Sequence, residues 1–112
     1  MRKEYLVKNK VKLCIKNLGG VHCMPMGTGF GNAGYGDIIA CVAGCYIEIE
    51  CKSGNNKPTA LQLQRQKIVS AAGGLALIVN ETNVSQLKEV IESWVGRKST
   101  SHSASANFWP KV

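Results

Sequence analysis

Cys45-Tyr46-Ile47-Glu48-Ile49-Glu50-Cys51-Lys52 is the stretch whose reading decides the fold. Successive side chains of an extended chain point to opposite faces, so Ile47, Ile49 and Cys51 share one side and Tyr46, Glu48, Glu50 and Lys52 the other. One face is core and the other carries charge. Just before it, Asp37-Ile38-Ile39-Ala40-Cys41-Val42 is a second β-rich run, separated from the first by Ala43-Gly44 alone. A two-residue link of this kind is a hairpin signal, which makes the two runs antiparallel neighbours. The turn also fixes the register: partners are residues whose numbers add to about 87, so Asp37 is predicted to face Glu50. Lys52 projects from the same side of the strand, two residues on.

Outward from this hairpin the chain reads in order. Ser53-Gly54-Asn55-Asn56-Lys57-Pro58 is a loop by composition, and Thr59 begins a helix whose apolar side carries Leu61, Ile68 and Ala72 before Gly73-Gly74 ends it. Leu75 to Val79 is a short apolar strand; coming after a strand and a crossover helix, it is predicted to lie parallel to the Cys45–Lys52 strand. Asn83 is read as the cap of a last helix, with Gln86 three residues on and Val84, Leu87, Ile91 and Val95 as its apolar stripe. On the other side, Val7, Val11, Cys14 and Leu18 recur at helical spacing within Arg2–Leu18, while Lys3, Lys8, Lys10, Lys12 and Lys16 fall elsewhere, giving an amphipathic helix with a basic outer face. Gly19-Gly20 ends it. Val21 to Met26 reads as a short strand broken by Pro25, hence an edge or bulged one. The order is helix, three strands, helix, strand, helix: an α/β arrangement of one mixed sheet with helices against it. Residues 1–96 form the folded domain, and the serine-rich 97–112 is a mobile tail whose Phe108 and Trp109 could dock.

A chain of 112 residues, 45% of them hydrophobic and 19% charged, builds one modest core and no second one. No apolar run approaches the roughly 20 residues of a membrane-spanning helix, and Met-Arg-Lys-Glu opens no secretory signal, so a soluble, cytoplasmic protein is expected. The net charge of +7 favours a polyanionic partner such as nucleic acid. The five cysteines, Cys14, Cys23, Cys41, Cys45 and Cys51, are odd in number and lack a disulfide framework's spacing; they read as small buried apolar residues in a reducing compartment. Cys41-x-x-x-Cys45 with His22 and Cys23 lacks the second matched pair of structural zinc. Gly29-Phe30-Gly31-Asn32-Ala33-Gly34 fits a dinucleotide pattern but leads into a strand where a helix is needed, so no nucleotide cofactor is expected. Those glycines suit a flexible loop that lets a nucleic-acid backbone come close.

Two carboxylates a few ångströms apart repel unless a cation lies between them, and hard oxygen donors with open water positions suit Mg²⁺ or Mn²⁺. With Lys52 positioning water or countering negative charge, the implied reaction is phosphodiester hydrolysis. The plainer alternative is an exposed strand face on which Glu48, Glu50 and Lys52 solvate the sheet. Glu4, three residues before Val7, points toward the sheet as a ligand or water contact, or else complements the helix dipole. Gln62 with Thr59 matches a capping box, which gives the glutamine a purely local role.

Gly34-Tyr35-Gly36-Asp37, Ile49-Glu50-Cys51-Lys52-Ser53, Thr59-Ala60-Leu61-Gln62 and Gly73-Gly74 together resemble a VRR-NUC domain, the virus-type replication-repair branch of the PD-(D/E)XK nucleases. The resemblance spans roughly Glu4 to Val79. It implies a restriction-endonuclease-like αβββαβ core with a mixed four-stranded sheet flanked by helices, plus a C-terminal helix. It further implies that Asp37 and Glu50 bind Mg²⁺ or Mn²⁺ with the carbonyl of Cys51, that Lys52 is the catalytic lysine, and that Gln62 and Glu4 complete the site. Where the family usually has proline before the aspartate, this chain has Gly36. Free-standing members resemble Holliday-junction resolvases, which implies a homodimeric endonuclease acting on branched DNA in a bacterial or phage-infected cell. Lys8, Lys12, Lys57, Arg65 and Lys67 would then contact phosphates, unless they are ordinary solvated residues. Two other readings stand beside this one: a non-catalytic basic module that binds nucleic acid or a replication partner, and a nuclease for RNA, single-stranded or flapped substrates.

Overall fold

The computed structural model describes residues 2–25 and 36–98. The dinucleotide-like glycines, Gly34-Tyr35 and the tail from Ser99 onward lie outside the described residues. Four strands form one sheet in the order β1 (Val21–Cys23), β2 (Ile38–Val42), β3 (Cys45–Cys51) and β4 (Leu75–Val79), with helices α1 (Arg2–Asn17), α2 (Ala60–Ala71) and α3 (Leu87–Lys98). No helix among the described residues is long and apolar enough to cross a membrane.

The hairpin sets the register expected from its turn. Ile38 pairs with Ile49 and Val42 with Cys45, while Ala43 (φ 51°) and Gly44 (φ 82°) both take the left-handed region. Two such residues form the tight turn whose twist matches that of the strands. β4 runs parallel to β3, with Ile47 opposite Leu75 and Cys51 opposite Val79, as a crossover through a helix requires. β1 is antiparallel to β2 and lies at the edge of the sheet. It is shorter than expected and stops before Pro25, which cannot donate to a ladder. Cys23 and Cys41 are both exposed on this edge hairpin, whereas Cys45 and Cys51 are buried.

One face of the sheet carries the core. Ile38, Ala40 and Val42 of β2, with Ile47, Ile49 and Cys51 of β3, are buried in one cluster with Val7, Val11 and Ile15 of α1 and Leu87 and Ile91 of α3. Ile15 adds a third full turn to the Val7–Val11 stripe, and Cys14 and Leu18 pack at its margin. In α3, Val84, Leu87, Ile91 and Val95 face the core as expected, but the helix starts later. A single 3₁₀ turn, Val84–Gln86, precedes it, and Asn83 makes no side-chain cap. Its Oδ1 accepts from Asn80 N instead (2.9 Å), and its Nδ2 donates to Ile78 O (3.2 Å). α3 also continues through Gly96 to Lys98.

The other face is covered by α2, and here the expected apolar side is wrong. Leu61 and Ile68 are 53% and 51% exposed, Ala72 is exposed, and Val69 is the one buried residue of the helix. The inward stripe is Gln62, Arg65, Gln66 and Val69, at the i, i+3, i+4, i+7 spacing of one helix face. The reason lies beneath it: this face of β3 presents Glu48 and Glu50, and buried carboxylates need donors rather than methyl groups.

Candidate active site

The site lies where β3 ends and β2 begins, flanked by the first turns of α1 and α2. Asp37 immediately precedes β2, and its Oδ2 accepts from the Cys51 amide over 2.8 Å, which fixes it beside Glu50. The two carboxylates face each other as the hairpin register dictates. Lys52, just past the end of β3, holds Nζ 3.7 Å from Glu50 Oε2; its backbone N–H extends the parallel ladder by donating to Val79 O over 2.8 Å. Gln62 Nε2 donates to the same Glu50 oxygen over 2.6 Å.

Gln62 also does what its capping-box pattern requires. Its Oε1 accepts from Thr59 N (2.8 Å) while Thr59 Oγ1 accepts from Gln62 N (3.2 Å). The local and the functional readings of this glutamine therefore use different atoms of one amide. The cap points Nε2 at the strand.

α1 brings Glu4 and Lys8. Lys8 Nζ lies 3.6 Å from Glu4 Oε2 and 4.0 Å from Asp37 Oδ1, so Lys8, expected among the phosphate contacts, sits in the carboxylate cluster. Arg65 departs further from that expectation. It turns inward, and its Nε and Nη2 donate to Glu48 Oε1 and Oε2 over 3.1 and 2.6 Å. Of the remaining expected phosphate contacts, Lys57 and Lys67 are exposed and Lys12 is half-buried.

Charge in the cluster is unevenly balanced. Burial and the neighbouring negative charge of Asp37 push the Glu50 carboxyl up to about 7, with Lys52 acting against them. Burial, reinforced by Asp37, pushes the Cys51 thiol up to about 12. That side chain stays a neutral thiol on the core face, so only the backbone of Cys51 can serve the site. A carboxyl this reluctant to ionise next to a second carboxylate marks a place where a cation would relieve repulsion. The donor chemistry suits a hard divalent ion: two carboxylates, with oxygen rather than sulfur or nitrogen as the ligand atom. Among the described residues no three His, Cys, Asp or Glu side chains group as a metal cage; Glu4 stands at the margin of the cluster, joined to it through Lys8 and adding to the negative charge felt by Glu50.

Sequence reasoning gave Glu48 no role beyond the charged strand face. It is 3% exposed and accepts four hydrogen bonds: two from Arg65, one from Gly36 N (3.3 Å) and one from the Tyr46 hydroxyl. Although burial opposes ionisation, these donors hold its carboxyl below the usual range. The polar spacing Gln62-Arg65-Gln66 was the available signal. A helix with that stripe facing a sheet requires acceptors on the strand below.

No family model matches the chain, and no curated protein matches it in sequence. Among solved structures, one described as a VRR_NUC domain matches with a TM-score of 0.66 and 25% identity, covering 80% of this chain and 95% of that one. The mixed four-stranded sheet flanked by helices is thus a VRR-NUC-like nuclease fold, and the likeness marks the chain as a nuclease-type domain.

Proposed function

We propose that the chain is a divalent-metal-dependent DNA endonuclease acting on branched structures such as four-way junctions, its nuclease domain running from α1 through α3. The observation that carries this reading is the meeting of Asp37, Glu50, Lys52 and Gln62 at one end of the sheet, in a fold shared with a nuclease domain. Asp37 and Glu50, with the Cys51 carbonyl, would hold Mg²⁺ or Mn²⁺. Such an ion, when bound, polarises a phosphate oxygen and acidifies a coordinated water.

The chain's own groups do the rest. Asp37 is oriented by the Cys51 amide, so its second oxygen is left for the ion or for Lys8. Lys52 Nζ lies next to Glu50 and would hold the attacking water and counter charge gathering on the phosphate. Gln62 fixes the Glu50 carboxylate by occupying one of its oxygens. Glu4 tethers Lys8 and adds negative charge at the edge of the cluster. Lys12, Lys57 and Lys67 would make salt-dependent contacts to phosphates, without reading sequence. So small a domain enlarges its DNA contact economically by two-fold pairing, which is why the proposal includes a homodimer.

Asp37→Ala and Lys52→Ala test the reading. Each is expected to abolish cleavage of a four-way junction in Mg²⁺ or Mn²⁺ while leaving junction binding largely intact. Cleavage persisting in both variants would remove it, and Mn²⁺ binding that ignores Asp37 and Glu50 would favour a non-catalytic basic module. Parallel assays on linear duplex, flapped and single-stranded DNA and on RNA define the substrate.

A further inference from the structure

We propose that Glu48 is a positioning residue: a buried clamp that sets the separation of Asp37 from Glu50 by tying the residue before Asp37 to α2. This deepens the nuclease reading and rests on it.

Glu48 sits two residues before Glu50 on the same face of β3, and its carboxylate reaches in three directions. Oε1 accepts from Gly36 N over 3.3 Å, which pins the backbone that delivers Asp37. Both oxygens accept from the Arg65 guanidinium, and Arg65 lies three residues after Gln62, on the same inward stripe of α2. The third partner is the Tyr46 hydroxyl. One side chain thus connects the segment carrying the first metal-binding acid to the helix carrying the amide that holds the second.

Gly36 shows why the clamp needs this residue pair. A Cβ at position 36 would meet Ile49 O at 3.1 Å, Ile49 N at 3.2 Å and Glu48 Cβ at 3.3 Å. The segment therefore presses against the β3 backbone more closely than most side chains allow. Proline there would also lack the N–H that Glu48 accepts. Glycine at 36 and glutamate at 48 are parts of one device, and a site held to within about half an ångström depends on such supporting bonds.

Two double variants separate positioning from mere support. Replacing a buried ion pair by neutral side chains is often tolerated, so Glu48→Gln with Arg65→Met keeps an acceptor for Gly36 N, whereas Glu48→Leu with Arg65→Met removes it. Melting temperature reports folding, and calorimetry with Mn²⁺ alone reports the site. The glutamine variant is expected to bind Mn²⁺ within a few-fold of the unmodified protein. The leucine variant is expected to lose roughly 10–100-fold in affinity, as loss of outer partners of metal ligands does, at a similar melting temperature. Equal affinities in the two folded variants overturn the proposal. Wild-type protein whose Mn²⁺ binding ignores Asp37 and Glu50 overturns the nuclease reading instead. If either variant fails to fold, hydrogen exchange of the Arg65 Nε proton in the unmodified protein decides: strong protection supports the clamp, and exchange at the rate of a free guanidinium overturns it.

Discussion

Gln62 Nε2 donates to Glu50 Oε2 over 2.6 Å while the Oε1 of the same amide closes the cap of α2. The start of a helix and the orientation of a strand carboxylate are thereby one event. α2 cannot shift along its axis without releasing Glu50, and Gln62 cannot leave the cap without giving up its hold on that carboxylate.

The two jobs of Gln62 can be separated. Gln62→Glu keeps a capping acceptor but sets another acid against Glu50, so it should spare the cap while lowering metal-free stability near neutral pH and sharply lowering cleavage. Gln62→Ala loses both functions and should cost about 1 kcal/mol from the cap as well. Chemical denaturation beside junction cleavage checks both.

The pH dependence follows from Glu50. Its folded carboxyl, raised from 4.5 to about 7, binds its proton more tightly than the unfolded one, so its contribution to metal-free stability is present in full below about pH 4.5 and is lost as pH rises toward 7. Mn²⁺ must displace that proton, so metal affinity should climb over the same interval and level off above it. Melting curves across pH should show the decline, and Glu50→Gln should flatten it.

Arg65 and the exposed lysines should behave oppositely. Arg65→Met strands the buried Glu48 charge and is expected to destabilise by about 3–5 kcal/mol. Lys57→Ala and Lys67→Ala should leave the melting temperature nearly unchanged and reduce the salt dependence of junction binding by about one unit of slope each. Thermal denaturation and binding over a salt series tell them apart.

On α2, packing and hydrophobicity part company. Ile68→Ser, at an exposed position, should shift stability by under about 0.5 kcal/mol. Val69→Ala, at the helix's buried residue, should cost about 2 kcal/mol. A larger cost at Ile68 than at Val69 would mean that the helix docks by its other side.

These contrasts mark what was readable in the sequence. The Ala43-Gly44 turn dictated the β2–β3 register, the single crossover dictated the parallel β4, and the Val7–Val11 repeat located the core face of α1, because each is a local rule with one outcome. The facing of Asp37 and Glu50 follows from that register. The apolar side expected of α2 differs from the one it buries because Leu61 and Ile68 are among its most apolar residues, and binary patterning assumes an apolar surface underneath. Here the sheet offers carboxylates, so donors won the inner face and leucine and isoleucine were left outside. Glu48 was missed for the same reason, since its worth depends on a helix whose orientation had been read the other way. Asparagine favours the cap position that Asn83 occupies in the sequence pattern, but its amide goes instead to the carbonyl of Ile78 near the end of β4.

The edge hairpin has a practical corollary. Cys23 and Cys41 are free thiols open to solvent, and two molecules meeting there in air can become covalently linked without any specific association. A doubled mass in sizing or electrophoresis then says nothing about pairing on DNA unless it survives reductant. Cys23→Ser with Cys41→Ser is the cleaner background for weighing the particle.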